Sequence, residues 1–242
     1  MKNIQLSPRL QKIADLVDPC KTFADIGTDH GYLPYYLMQS EIVETVYLCD
    51  VNKGPLDNAR TTFQGATFER NAHYRLGSGL SVLKEGEVEA AVIAGMGGGL
   101  IQMLLEQAPN QVKELKQLIL QPQTEQAQVR AFCLQMKWSF RDYFIREGEK
   151  FYEILQIDFE NKNEEFIKLT EFDYEFGLNI ALETFDCYLE FLNFKKRKYH
   201  KIMHSIQADH SDLTESQRDK YNFAVSKIEK IDCILESLPL NI

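Results

Sequence analysis

The sequence holds a single tryptophan and only five cysteines, Cys20, Cys49, Cys133, Cys187 and Cys233. No two of them stand at the spacing of a metal clip. An odd number of scattered thiols argues against a disulfide framework and fits a reducing compartment, so a cytoplasmic protein is expected. No apolar run approaches the ~20 residues needed to span a bilayer. The opening stretch "MKNIQLSPRLQKIADLV" lacks the apolar segment of a signal peptide, so export is not expected. Positive charge is also in short supply: 27 Lys and Arg against 36 Asp and Glu leave a net charge of -9. That balance excludes the whole-surface basicity of a general nucleic-acid binder. Internal repeats and low-complexity tracts are absent.

What remains is an ordinary globular composition, 44% hydrophobic and 26% charged over 242 residues, enough for one α/β domain plus something smaller. Short apolar runs near 22–26, 45–49, 67–70, 89–94 and 117–121 read as strands. Helical patterns near 6–17, 31–39, 54–63, 98–107 and 124–136 alternate with them, which implies a parallel sheet with crossover helices on both faces. Two further strands near 140–146 and 151–158 are separated only by "REGEK", too short for a crossover, so they should form an antiparallel pair at one edge. Five parallel units ending in a hairpin outline a Rossmann-like class I methyltransferase sheet, assigned to residues 1–160.

Beyond the polar "NKNEEF" the apolar period becomes helical. Ala181, Phe185, Tyr188, Leu192, Lys195, Tyr199, Ile202 and Ile206 recur at alternating steps of four and three, and Tyr221, Ala224, Ile228, Ile231, Leu235 and Leu238 repeat that rhythm. Residues 161–242 therefore read as two helices packed as an antiparallel coiled coil. "ADHSDLTESQ" supplies the turn between them, with Thr214 and Gln217 as a capping box. Lys195 is the one cation expected at the seam.

The stretch "KTFADIGTDHGYLPYYL" runs a buried strand through a glycine turn into a helix. Dinucleotide enzymes use Gly-x-Gly-x-x-Gly there to bring a pyrophosphate to a helix N-terminus. In this chain Asp29 stands at the second glycine position, and an extra carboxylate repels a diphosphate. Asp25, Gly27, Asp29 and Gly31 alternate as in the acidic-x-Gly-x-Gly-x-Gly turn of S-adenosylmethionine enzymes, whose ligand has no phosphate and carries an ammonium and a sulfonium. A plain strand–helix turn with an exposed aspartate is the competing reading. Asp50, a little over twenty residues past Gly27, is placed to accept ribose hydroxyls with Val51 and Asn52 beside it, or else to cap the next helix. Gly77, Ser78 and Gly79 would let a loop lie close to an adenine ring, or would form an ordinary surface turn.

"AAVIAGMGGGLI" puts Ala94, Gly95, Met96 and Gly97 at the C-terminal end of a buried strand, where open α/β sheets hold ligands. Amino-group methyltransferases often carry Asp/Asn-Pro-Pro-aromatic here, and this chain has neither the amide nor the prolines. Small residues leave room for a planar base. Adenine N1 already offers a lone pair, so positioning and electrostatics could supply most of the acceleration. Asp29, His30, Tyr32 and Asn52, with Gly95, Met96 and Gly97, are candidates to receive that base, and no side chain is nominated as a catalytic base. His200 and His204 lie four apart with no third ligand in view, and no metal is expected.

At "LSPRLQKIADLV", "ADIGTDHGYLP", "DVNKGPLDNA", "GSGL" and "IAGMGGGLI" the sequence resembles the bacterial tRNA (adenine(22)-N(1))-methyltransferase family. The resemblance spans nearly the whole chain. It implies a class I fold with a C-terminal coiled coil, S-adenosyl-L-methionine as cofactor and a tRNA substrate methylated at an adenine of the D-arm region. Carried over by position, Asp25, Gly27, Asp50, Gly77, Ala94 and Gly95 would hold the cofactor, and Arg9 would help close its methionine side. The acid-free run between Glu190 and Asp209, with Lys195, Lys196, Arg197, Lys198 and Lys201, then reads as a grip on the tRNA backbone; alone it would be a solvated helix face. A monomer or weak homodimer is expected. Rival readings are a methyltransferase for another RNA nucleoside, a protein or a small molecule, and a non-catalytic RNA-binding protein with a degenerate pocket.

Overall fold

The structure is a computed structural model, and it describes residues 4–162, 174–207 and 213–238, without the side chains of 160–162 and 207. The polar stretch expected to open the second domain runs into 163–173, outside the described residues. Part of the turn expected between the two last helices, 208–212, lies outside them too.

The first unit, Met1–Ala181, is built on a seven-stranded sheet. Its strands are β1 (Cys20–Ile26), β2 (Val43–Asp50), β3 (Ala72–Leu76), β4 (Ala90–Gly97), β5 (Gln117–Thr124), β6 (Trp138–Glu147) and β7 (Lys150–Lys162). They run in the order β3-β2-β1-β4-β5-β7-β6. The first five are parallel, while β7 is antiparallel to both β5 and β6. Chain order reverses between β1 and β4, the switch point at which such sheets open a crevice beyond the strand C-termini.

Alternation along the strands sends successive side chains to opposite faces. Phe23, Val92 and Ile119 pack under helices α1 (Pro8–Asp15), α2 (Tyr32–Gln39) and α3 (Lys53–Phe63). Ala24, Ile26, Ala91, Ile93, Leu118 and Leu120 pack under α4 (Gly98–Glu106), α5 (Pro109–Lys113) and α6 (Gln126–Gln135). Each fully buried aliphatic or aromatic side chain contributes roughly 1.5–3 kcal/mol, so both faces help to hold the sheet.

The third strand departs from the expected position: it occupies Ala72–Leu76, and 67–70 is turn and 3-10 helix. The apolar residues there serve another purpose. Phe68 meets Tyr35 and Phe63 edge-on, with ring centroids 5.1 and 6.0 Å apart, so the segment plugs a helix-side aromatic cluster.

The second unit, Leu182–Ile242, contains α7 (Phe185–Gln207) and α8 (Glu215–Ser237). Thr214 caps α8 in a full capping box with Gln217. Lys196 pairs with Asp232, while Tyr199 meets Phe223 at 6.2 Å, so the two helices run antiparallel. The seam differs from expectation in one respect. Lys227 is buried in it, its ammonium 4.9 Å from the centre of the Phe223 ring, whereas Lys195 is only half-buried and lies over Phe191.

Candidate functional site

The turn after β1 is tied down by its neighbour strand: the amides of Gly27 and Thr28 both donate to the Cys49 carbonyl, at 2.8 and 3.1 Å. Gly27 adopts a φ of +79°, and a Cβ there would overlap the methyl carbon of Met96 from β4. Only glycine fits both demands. Asp25 closes β1 just below. Burial pushes its carboxyl up to about 6, against the easing influence of Thr28 and of the Arg9 guanidinium; Asp50 raises it further. The Thr28 hydroxyl is itself buried and finds no hydrogen bond of normal geometry. The acceptor beside it is the Asp25 carboxyl, whose pKa it lowers.

Arg9 reaches this edge because Ser7 caps α1 with Pro8 at its first position. Its guanidinium donates to the buried Gln121 Oε1 at 2.7 Å and lies over the Tyr152 ring, while its backbone amide donates to Glu147. A cation is thereby held across the sheet from α1 to the end of β5.

Asp50 ends β2 with one carboxylate oxygen accepting the Asn52 amide at 2.6 Å. Asn52, not Asp50, is the residue at the N-cap of α3, so Asp50 does not cap that helix. The Gly77 amide donates to the Asp50 carbonyl, which draws the loop after β3 alongside. Two apolar side chains, Val51 and Leu76, stand 60% and 61% exposed at these strand ends. Exposed aliphatic surface beside an acid able to take ribose hydroxyls suits a flat nucleobase. Ser78 and Gly79 start the short helical turn that follows.

The end of β4 is irregular. Its register against β5 shifts at Ala94/Met96 and again at Met96/Gly97, and this bulge turns Met96 toward Gly27. Gly98 is required by packing, because a Cβ there would come within 2.6 Å of the Glu125 carbonyl. The Gly99 amide donates to Glu125 Oε2 at 2.9 Å. Gln123, Thr124 and Glu125 face this glycine stretch from the β5–α6 turn. None of the three stands out in the sequence, and neither does Thr28 or Gln121.

Asp29 and His30 form an exposed pair at 3.3 Å, and the His30 ring stacks on Tyr32 with centroids 5.1 Å apart. Beside them opens a cavity of about 580 Å³ lined also by Gln5, Asn58 and Thr61. Another of about 480 Å³ lies at the opposite, N-terminal ends of the strands, around Asp18, Lys116 and Gln117. Arg9, Asp25, Gly27, Asp50 and the Ala94–Gly97 stretch all share the C-terminal edge. Asn52 is exposed at the start of α3. In the second unit Arg197, Lys198 and Lys201 are exposed, while Lys196 is committed to Asp232. The rings of His200 and His204 lie 6.4 Å apart. Among the described residues no three His, Cys, Asp or Glu cluster closely enough to hold a metal, and no helix is long and apolar enough to cross a membrane.

The chain is similar to known proteins. The tRNA (adenine(22)-N(1))-methyltransferase of Bacillus subtilis is 33% identical over 156 residues, a match covering 64% of this chain and 66% of that protein. The chain thus spans just under two thirds of that relative's length in the aligned stretch. The crystal structure of the B. subtilis M1A22 tRNA methyltransferase TrmK matches with a TM-score of 0.76 at 25% identity, over 96% of this chain and 99% of that one. Mycoplasma capricolum TrmK, solved with S-adenosyl-homocysteine, matches with 0.75 at 26% identity over 96% and 98%. The family described as "Methyltransferase domain" matches residues 6–155, more than half of the sequence and every element of the edge just described, and the chain belongs to that family.

Proposed function

We propose that this chain transfers a methyl group from S-adenosyl-L-methionine to N1 of adenine 22 in tRNA. The observation that carries the reading is the likeness to B. subtilis TrmK over 96% of the chain, helical tail included, in a molecule whose own strand ends carry a fitting site. The residues fit the cofactor on local grounds: Gly27 forms a cradle with no room for a Cβ, and the Asp25 carboxyl and the Arg9 guanidinium stand beside it.

Bound there, S-adenosylmethionine supplies an electrophilic methyl carbon on a sulfonium sulfur. Asp25 would face the cationic end and Arg9 the carboxylate end of the methionine moiety. Asp50 would take the ribose hydroxyls, and Val51, Leu76 and the Gly77–Gly79 backbone would hold the adenine. Asp29, His30, Tyr32, Asn52 and the Gly95–Gly97 stretch border the place for the target base, extruded from its stack. The ring N1 presents a lone pair, so these residues position the base and need not remove a proton first. Residues 161–242 act as the tRNA-binding part, with Arg197, Lys198 and Lys201 toward the phosphates beside Lys195 and Lys196. The enzyme works in the cytoplasm as a monomer or weak homodimer, without a metal.

Purified protein, labelled methyl donor and unmodified bulk tRNA, followed by nucleoside mass spectrometry, test the reading. N1-methyladenosine is the expected product. Another methylated nucleoside overturns the substrate assignment, and failure to bind S-adenosylmethionine in calorimetry overturns the enzyme assignment.

A further inference from the structure

Glu125 sits in a left-handed backbone conformation, φ +58° and ψ +36°, at the junction of β5 and α6. Such a conformation costs a residue with a side chain, and it persists where the surroundings over-determine it, often at functional sites. Here the surroundings are the glycine stretch of β4 and α4. The Glu125 carbonyl lies so near Gly98 that no Cβ fits, and its Oε2 accepts the Gly99 amide at 2.9 Å. The strained turn thus brings a carboxylate against the Gly97–Gly99 backbone at the C-terminal end of β4. Oε1 has no partner among the described residues, and the residue is exposed. Gln123, two residues back, brings its amide within 3.7 Å of where a Cβ on Gly95 would stand.

The end of β4 contributes no side-chain oxygen for an exocyclic amine, since it consists of alanine, methionine and glycine. Of the side chains that face it from β5 and the turn beyond, Glu125 is the one that carries a negative charge. We propose that Glu125 is a catalytic residue for the methyl transfer: its Oε1 accepts a hydrogen bond from the exocyclic amine of the target adenine, and its charge stabilises the cation the ring becomes. The proposal rests on the adenine-N1 reading above. In that reaction the N1 lone pair forms the new N–C bond while the electrons of the breaking C–S bond stay on sulfur. Positive charge passes from sulfur to the ring and is shared among N1, C6 and the exocyclic nitrogen. The amine becomes a stronger donor as the bond forms, so a carboxylate beside it binds the transition state better than the ground state. The amine proton can leave to water afterwards.

Holding the Gly99 amide is a purely structural task that an uncharged amide oxygen also performs, so Glu125→Gln separates it from the electrostatic one. For that variant, kcat on unmodified tRNA is expected to fall about 10- to 100-fold, with S-adenosylmethionine affinity unchanged within about twofold. A second readout needs no turnover. With S-adenosyl-homocysteine present, filter binding compares tRNA carrying adenine with tRNA carrying the cationic N1-methyladenine at position 22. Wild type and Glu125→Asp should favour the methylated tRNA, and Glu125→Gln should lose that preference. Unchanged kcat and preference in Glu125→Gln overturn the proposal while leaving tRNA methylation intact. Equal behaviour of the Asp and Gln variants overturns it too, because charge is then not what matters. Absence of N1-methyladenosine with the wild type overturns the reading underneath.

Discussion

Met96 lies on Gly27: the last turn of β4 places its methyl carbon where a side chain on the β1–α2 turn would have to begin. This packing joins the two strand ends that flank the switch point, so the turn after β1 and the glycine stretch after β4 share a wall. Gly27→Ala meets both that overlap and a φ of +79°. It should lower stability by about 1–3 kcal/mol and weaken S-adenosylmethionine binding at least tenfold or so, read by thermal unfolding and calorimetry. Adding Met96→Ala should recover part of the stability, because it removes the overlap but leaves the strained backbone.

Asp25 gives a pH dependence of unusual sign for a carboxylate. Its folded pKa is raised from 3.8 to about 6, chiefly by burial, so the folded chain holds this proton more tightly than the unfolded chain does. Its contribution to stability is full below pH 3.8 and is lost as pH rises through about 6. Asp25→Asn should therefore gain on the order of 2 kcal/mol over wild type at pH 7 and nothing at pH 3.5. Binding of a sulfonium-bearing cofactor needs the ionised form. Its affinity should rise between pH 5 and 7 in the wild type and stay flat and weak in Asp25→Asn.

The strand positions are legible where burial alone decides them, as for β1, β4 and β5, whose apolar runs are packed on both faces. The third strand is misread because Phe68 and its neighbours look like strand residues and are held by aromatic partners distant in sequence, Tyr35 and Phe63. The tight glycine turn after β1 can be read directly, since its spacing is local. The place of Glu125 and Gln123 beside the glycine stretch cannot, because it depends on β5 lying beside β4. Arg130 is equally hidden: on α6 it looks like a surface cation, yet it is fully buried.

That arginine anchors the last part of the first unit. Its Nε donates to Asp142 at 2.8 Å, a second nitrogen to Glu153 at 2.6 Å, and a third to the Tyr174 carbonyl. Asp142 also accepts the amides of Leu178 and Asn179. Removing one partner strands the others without solvent, so Arg130→Ala should cost about 3–5 kcal/mol. Urea denaturation checks this, and S-adenosylmethionine affinity should be spared at concentrations where the variant stays folded.

The cations of α7 are not equivalent. Reversing Arg197, Lys198 and Lys201 together should weaken tRNA binding and lower the salt slope, by about 0.7–0.9 for each phosphate that is no longer neutralised. Cofactor affinity should not change. Lys196→Glu should instead loosen the helical hairpin through Asp232, seen as a lower melting temperature of the second unit.

The most direct measurement is methylation of one tRNA transcript and of its counterpart with guanine at position 22, read by nucleoside mass spectrometry after reaction with S-adenosylmethionine. The account predicts a single N1-methyladenosine in the first and none in the second. Equal methylation of both, or a different methylated nucleoside in the first, would contradict it.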